Sequence, residues 1–310
     1  MKKTDPIKEK ITDHPCFCEK AHTKFARIHL PVAPECNIQC NYCSRKYDCA
    51  NESRPGVTSK VITPDEALEI FIKYKKILEN LTVVGIAGPG DPLANPYKTF
   101  KTFELIRNFD NNTKLCLSTN GLELHRFMYE IKFFKIDHIT ITINTTDEKI
   151  GNAVYSYIRY NNTIIKGEEA ANILIENQLE ALKLLSQMGV ITKINTVLIP
   201  GINDANISMV AKMIKKNGCF IHNIVPLINP NDKSTKFSKN GIRQPSNEEL
   251  SFARLESATV FGGMSSIMHH CKQCRADAIG LLGENRTIEY NSIEQPEGSD
   301  EKLCANKNNC

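Results

Sequence analysis

A chain of 310 residues, 41% hydrophobic and 24% charged, can build one large or two small globular units without disulfide staples. Lys and Arg exceed Asp and Glu only by 39 to 35, spread along the chain, which excludes an obvious nucleic-acid surface. No apolar run approaches a membrane span and the charged start, Met1 to Lys10, has no signal core, so a cytoplasmic protein is expected.

The first 25 residues are polar and carry Cys16, Cys18 and His22 without periodicity. Arg27 to Val32 reads as a short strand that enters a cysteine loop. Thr63-Pro64-Asp65-Glu66 predicts a helix start, with Thr63 as cap, Pro64 at the first helical position and Glu66 closing a capping box. That helix is expected to reach about Asn80 and to be followed by a strand, Leu81 to Ala87. Predicted helices over 97–109, 122–134, 168–188 and 205–217 then alternate with strands over 114–118, 138–143, 191–198 and 219–225. A second capping box at Ser246-Asn247-Glu248-Glu249 opens a helix through about Val260. This alternation predicts an α/β fold with a parallel sheet and right-handed crossovers, open or rolled into a barrel. Gly88-Pro89-Gly90-Asp91, Ser118-Thr119-Asn120-Gly121 and Asn144-Thr145 end strands, where parallel α/β folds bind ligands. Cys219, inside an apolar strand, reads as a core residue, and Cys304 and Cys310, in the polar tail, as thiols without a structural role.

Cysteine is the informative residue. Six of the twelve lie between positions 16 and 49, and another close pair stands at 271 and 274. In a reducing compartment such clusters point to metal ligation rather than disulfides. Cys36, Cys40 and Cys43 form CxxxCxxC, three thiolates that can hold three corners of a [4Fe–4S] cubane and leave one iron open. A zinc site is the alternative, and it would need one more ligand. Two further incomplete sets remain: Cys49 with the CxxC of Cys271 and Cys274, and Cys16 with His22 and Cys116. Their plainer readings are a zinc knuckle for the first, and a surface histidine and a buried core thiol for the second.

The CxxxCxxC motif, with Tyr42 before its last cysteine, resembles the signature of the radical S-adenosylmethionine (SAM) superfamily. That resemblance implies a partial (β/α)6 barrel over 27–260, with cluster-binding extensions at 1–26 and 261–310. It also implies that SAM chelates the open iron and is cleaved to a 5′-deoxyadenosyl radical. Gly88, Pro89, Gly90 and Asp91 look like the motif that holds the methionine amino group. Ser118, Thr119, Asn120, Asn144 and Asn195 occupy strand ends that contact the rest of the cofactor in such proteins. More narrowly, the block from Cys36 to Gly56, with His14-Pro15-Cys16, Gly88 to Leu93, Ser118 to Leu122 and Cys271 to Ala278, resembles the NifB family of nitrogenase-cofactor biosynthesis.

The NifB resemblance implies two further [4Fe–4S] clusters, bound as substrates by the two incomplete sets and fused around a SAM-derived carbide into an eight-iron precursor. Cys18 leaves open which thiol of the pair, Cys16 or Cys18, is the ligand. Glu52 and Arg54, beside Cys49, are the candidate catalytic pair for proton removal. Expected partners are iron–sulfur donor proteins, a reductant such as ferredoxin, and downstream cofactor carriers, with no nucleic acid and no membrane. Longer members carry a carboxy-terminal carrier domain for which this chain has no room. The competing readings are another multi-cluster radical SAM enzyme, of the molybdopterin-pathway cyclase type, and a non-catalytic iron–sulfur scaffold or electron carrier.

Overall fold

The structure is a computed structural model that describes residues 6–51, 56–282, 284 and 287–289. Six parallel strands lie side by side in chain order: β1 (Ala26–His29), β2 (Leu81–Ile86), β3 (Lys114–Thr119), β4 (His138–Thr142), β5 (Ile191–Leu198) and β6 (Ile221–Pro226). A seventh, β7 (Ile279–Gly280), adds antiparallel to β1. A helix follows each parallel strand: α1 (Pro64–Ile77), α2 (Pro96–Phe109), α3 (Met128–Phe133), α4 (Gly167–Gln187), α5 (Ile207–Lys216) and α6 (Asn247–Phe261). Right-handed crossovers that always step the same way put all helices on one face, so the sheet curls into a partial (β/α)6 barrel, as expected.

Strand alternation decides which face does what. Outward-facing Ile28, Val84, Ile86, Leu115, Leu117, Ile139, Ile141 and Ile194 pack into the main core with Phe71, Phe103, Leu182 and Ile214 from the helices. The intervening residues, His29, Gly85, Cys116, Ser118, Thr140 and Lys193, line an interior cavity. Registers Gly85↔Cys116, Ser118↔Thr140 and Thr140↔Lys193 set them shoulder to shoulder. The barrel is thus apolar outside and polar inside.

Both capping boxes form, at Thr63 and Ser246. Two helix starts differ from expectation. The segment predicted over 122–134 begins as a 3-10 turn, Leu124–Phe127, and the one over 205–217 begins as Asp204–Asn206. Neither start has a side-chain cap on the helix that follows, and the first turn tightens instead. A three-stranded sheet was not foreseen: Ile38–Cys40 pairs antiparallel with Tyr155–Tyr160, which turns back through Asn161 and Asn162, both at positive φ, into Thr163–Ile165. It anchors the cysteine loop to the barrel.

The two extensions close the barrel. Lys10 bonds Asp137 at 2.7 Å, Lys114 bonds Asp13 at 2.6 Å, and the His138 ring meets the Lys10 carbonyl at 2.9 Å. All these contacts lie at the amino ends of β3 and β4, so residues 10–17 plug that mouth and lift Cys16 toward the interior. At the other end, Met268 N–H donates to His222 O of β6, and His29 N–H of β1 donates to Ala278 O. The segment 268–280 therefore straps the gap between the sheet's two edges and carries Cys271 and Cys274 across it. No helix among the described residues is long and apolar enough to cross a membrane.

Candidate functional site

The cysteine loop is built to be short and rigid. Cys43 N–H donates to Cys40 O at 3.0 Å, and the Gln39 amide reaches both Cys40 O (3.0 Å) and Cys43 O (2.9 Å). Cys36, Cys40 and Cys43 all line one cavity of about 430 Å³, with Arg45, Cys49, Asn51, Gly90, Asp91, Ser118, Thr119 and Asn120. The buried Asp91 carboxylate accepts from Asn120 N–H (2.6 Å), Leu93 N–H (2.9 Å) and Thr119 Oγ1 (2.9 Å), tying the Gly88–Asp91 turn to the end of β3. Burial pushes its pKa above the usual carboxylate value. Asn120 donates to Asn37 Oδ1 at 2.7 Å, joining that strand end to the cysteine loop. Gly90 N–H and Asp91 N–H donate to Ala33 O (2.6 Å) and Glu35 O (2.7 Å), and the Gly88–Pro89 peptide is cis.

The structure brings Gly90, Asp91, Ser118, Thr119 and Asn120 together around the three thiols. Asn144 and Asn195 stand behind this wall. The Asn144 amide donates to Tyr42 OH (2.6 Å) and accepts from Val197 N–H (2.9 Å). Tyr42 OH in turn donates to Asn51 Oδ1 at 2.6 Å, and Asn195 donates to Asn51 O at 3.2 Å. These two asparagines orient the Cys49 loop from below. Tyr42, Asn37 and Asn51 carry this framework, and only the aromatic character of Tyr42 had signalled a role in the sequence. Glu52 and Arg54 lie outside the described residues, as do Cys304 and Cys310.

A second cavity of about 480 Å³ opens inside the barrel, and it meets the first at Ala87 and Ser118, which line both. Cys16, Cys116, Cys271 and Cys274 line it together with His29 and Lys193. Of the Cys16/Cys18 pair, Cys16 is the cavity residue. Cys49 faces the first cavity, apart from the CxxC, although Asp48 beside it accepts from Ala276 N–H at 3.1 Å and so touches the strap. His22 is outside both: its ring stacks on His270 at 5.2 Å and its Nδ1 meets Glu19 O. Gly85 makes space for the interior imidazole, because a Cβ there would lie 2.9 Å from His29 Cδ2. His29 and Lys193 escaped the sequence reading, yet both occupy inward positions of strands whose alternation was visible. Cys219 is a buried core thiol, as expected.

Burial pushes the thiols of Cys36 and Cys16 up to about 12, and those of Cys40, Cys43, Cys49 and Cys271 upward as well. Desolvation leads in every case, so as thiolates they would need a partner of positive charge, which ligated iron would supply. Among the described residues no three His, Cys, Asp or Glu side chains converge as the ligands of a single ion. Three thiols on one loop, with no carboxylate beyond the fully hydrogen-bonded Asp91 on the same wall, fit an iron–sulfur cluster with one open iron.

Residues 30–214 match the family model described as "Radical SAM superfamily". The chain belongs to the radical SAM superfamily. Among curated relatives, the radical SAM chain is 51% identical over 282 residues to "FeMo cofactor biosynthesis protein NifB" of Herbaspirillum seropedicae, covering 91% of this chain and 53% of that protein. It is 47% identical to the protein of the same name from Klebsiella pneumoniae, covering 95% of this chain and 62% of that one. It thus spans about half to three-fifths of the length of these relatives. Among solved structures, methylornithine synthase (PylB) superposes with a TM-score of 0.54 at 13% identity, covering 88% of this chain and 81% of that one, which supports the radical SAM barrel as the shared fold.

Proposed function

We propose that this radical SAM enzyme makes the iron–sulfur precursor of the nitrogenase cofactor, building a SAM-derived carbide into an eight-iron product fused from two [4Fe–4S] substrates. The observation that carries this reading is the second cavity. Four thiols, Cys16, Cys116, Cys271 and Cys274, gather there from three separate chain segments and share a wall with the cavity of Cys36, Cys40 and Cys43. A radical SAM enzyme with a single cluster has no use for them. The names of the relatives point to the same chemistry.

Cys36, Cys40 and Cys43 would hold the resident [4Fe–4S] cluster, with Asp91, Thr119 and Asn120 shaping the pocket for SAM. When bound, these two groups supply one-electron reductive cleavage of a carbon–sulfur bond. The chain's own contribution is placement. The strap and the plug cover parts of the barrel's openings, and the contact at Ala87 and Ser118 sets the substrate cavity next to the SAM pocket. Ligation by thiols from the plug, β3 and the strap, rather than by one short loop, suits a substrate that must leave as product. Iron–sulfur donor proteins, a ferredoxin-like reductant and a cofactor carrier would be the partners.

Reconstituted chain plus SAM, dithionite, molybdate and homocitrate is expected to activate cofactor-free nitrogenase, read as acetylene reduction. An extract that stays inactive while SAM is cleaved normally rules the reading out. In the same assay Glu52→Gln is expected to reduce activation by about 10²–10⁴-fold if Glu52 moves a proton in the reaction. Activation at the wild-type rate removes Glu52 from the mechanism.

A further inference from the structure

We propose that Asp48 is a positioning residue that latches the strap to the cysteine loop through the N–H of Ala276, and so seats Cys271 and Cys274 over the second cavity; what those thiols hold rests on the function proposed above. Asp48 is 1% exposed and stands between the CxxxCxxC motif and Cys49. Its Oδ1 accepts from Ser59 N–H at 3.0 Å, and its Oδ2 from Ser59 Oγ at 2.7 Å and from Ala276 N–H at 3.1 Å. Asp48 N–H donates to Val57 O at 2.8 Å, so the carboxylate is fixed by its own loop before it meets the strap. Ala276, two residues past Cys274, is buried.

Ala276 meets both elements that frame the first cavity, the cysteine loop and the Gly88–Asp91 turn. A Cβ on Gly88 would stand 3.3 Å from Ala276 Cβ. Arg275 leans the same way, with Nη2 on Thr58 O at 3.4 Å, while its own carbonyl lies 3.2 Å from Nδ1 of His29 in the second cavity. The residues just past the CxxC thus bridge the two cavities. A buried carboxylate is costly unless hydrogen bonds satisfy it, and the strap supplies one of these bonds. A bond to a charged acceptor favours the docked strap by about tenfold or more. Arg27 also reaches Cys274 Sγ at 3.0 Å, but from β1, so the tie to the cysteine loop rests on Asp48 and the longer Arg275–Thr58 contact. The strap's ends are held separately, by Met268 at β6 and by β7 at β1. Loss of the Asp48 bond should therefore free the middle, where both thiols lie, and leave the barrel folded.

The test alkylates the cluster-free full chain anaerobically with iodoacetamide and follows each cysteine by peptide mass spectrometry, in wild type, Asp48→Ala and Ser59→Ala. Local opening sets such rates. In Asp48→Ala, Cys271 and Cys274 should react about tenfold faster or more, while the core thiol Cys219 keeps its wild-type rate. Ser59→Ala removes a bond within the loop but leaves the acceptor of Ala276, so its strap thiols should react as in wild type. Unchanged rates in Asp48→Ala overturn the latch. So do faster rates shared by Cys219, which mark a merely structural aspartate, or by Ser59→Ala, which mark the loop alone. After reconstitution with iron and sulfide and gel filtration, wild type should hold about twelve irons and Asp48→Ala should fall toward about four. Equal iron in the two overturns the claim that the latch seats the substrate ligands. A wild-type chain with only about four irons overturns the substrate-cluster reading, while the alkylation rates still decide the latch.

Discussion

Replacing Cys40 with serine is expected to abolish reductive SAM cleavage, lowering 5′-deoxyadenosine formation under dithionite by more than about a hundredfold. Cys40 ends the strand that anchors the cysteine loop and is 5% exposed, so its side chain cannot be replaced by a solvent ligand from outside. Burial raises its thiol well above the ordinary cysteine value, and the flanking Cys43 and Cys36 push the same way. A serine hydroxyl in that place is harder still to ionise, and it will not hold iron. The fold should tolerate the change, because Ser is smaller and the strand's backbone pairing with Tyr155 and Tyr157 is untouched. The expected pattern is therefore selective. Iron should fall by about four per chain while the second cavity keeps its share. Cleavage within tenfold of wild type would remove the three-thiol loop from the SAM reaction.

The barrel was legible because its strands and helices carry their own signals. Capping boxes at Thr63 and Ser246 set two helix starts to the residue, and Ile191 to Leu198 is a strand with the predicted bounds. The strand ends were legible for the same reason: Gly88–Asp91 and Ser118–Asn120 interrupt apolar runs with residues that favour turns. What the sequence hid is long-range. The Tyr155–Ile165 hairpin pairs with a strand more than a hundred residues earlier, and its alternation is too short to mark it. The strap over 268–280 has no periodicity, because only its last two residues join a ladder, with β1, and the rest is held by single bonds such as Met268 N–H to His222 O.

Within the site, spacing along the chain identified Cys36, Cys40 and Cys43 because a local loop makes a local cluster. It could not say how Cys16, Cys49, Cys116 and the CxxC divide, since those thiols converge only through the plug, β3 and the strap. The structure groups Cys16, Cys116, Cys271 and Cys274 around one cavity and sets Cys49 on the wall of the other. Lys193 shows the same limit from another side. Its neighbours Ile191, Ile194 and Val197 read as core, and only the inward register of β5 reveals that the lysine faces the thiols.

Gly90→Ala is expected to be the most damaging single change outside the cysteines. A Cβ at this position would lie 2.0 Å from Glu35 O, 2.6 Å from Glu35 C and 2.8 Å from Pro34 O. All three are backbone atoms, so no side chain can rotate away. The clash falls where Gly90 N–H and Asp91 N–H bond Ala33 O and Glu35 O, the contact that seats the Gly88–Asp91 turn against the segment entering Cys36. Relief requires the turn to lift, which breaks both bonds and draws Asp91 away from Thr119 and Asn120. Overpacking against movable neighbours costs about 1–3 kcal/mol, and against fixed backbone the upper end or beyond applies. At about 2–4 °C of Tm for each kcal/mol, the cluster-free protein should melt several degrees lower. SAM affinity should fall further than stability does, because the displaced turn walls the cavity proposed for SAM while the core built on α1, α2 and the outer strand faces is remote from it. Isothermal titration of SAM into reconstituted Gly90→Ala, beside a melt of the same preparation, separates the two. An alanine variant that binds SAM within twofold of wild type would show that the turn does not shape the pocket.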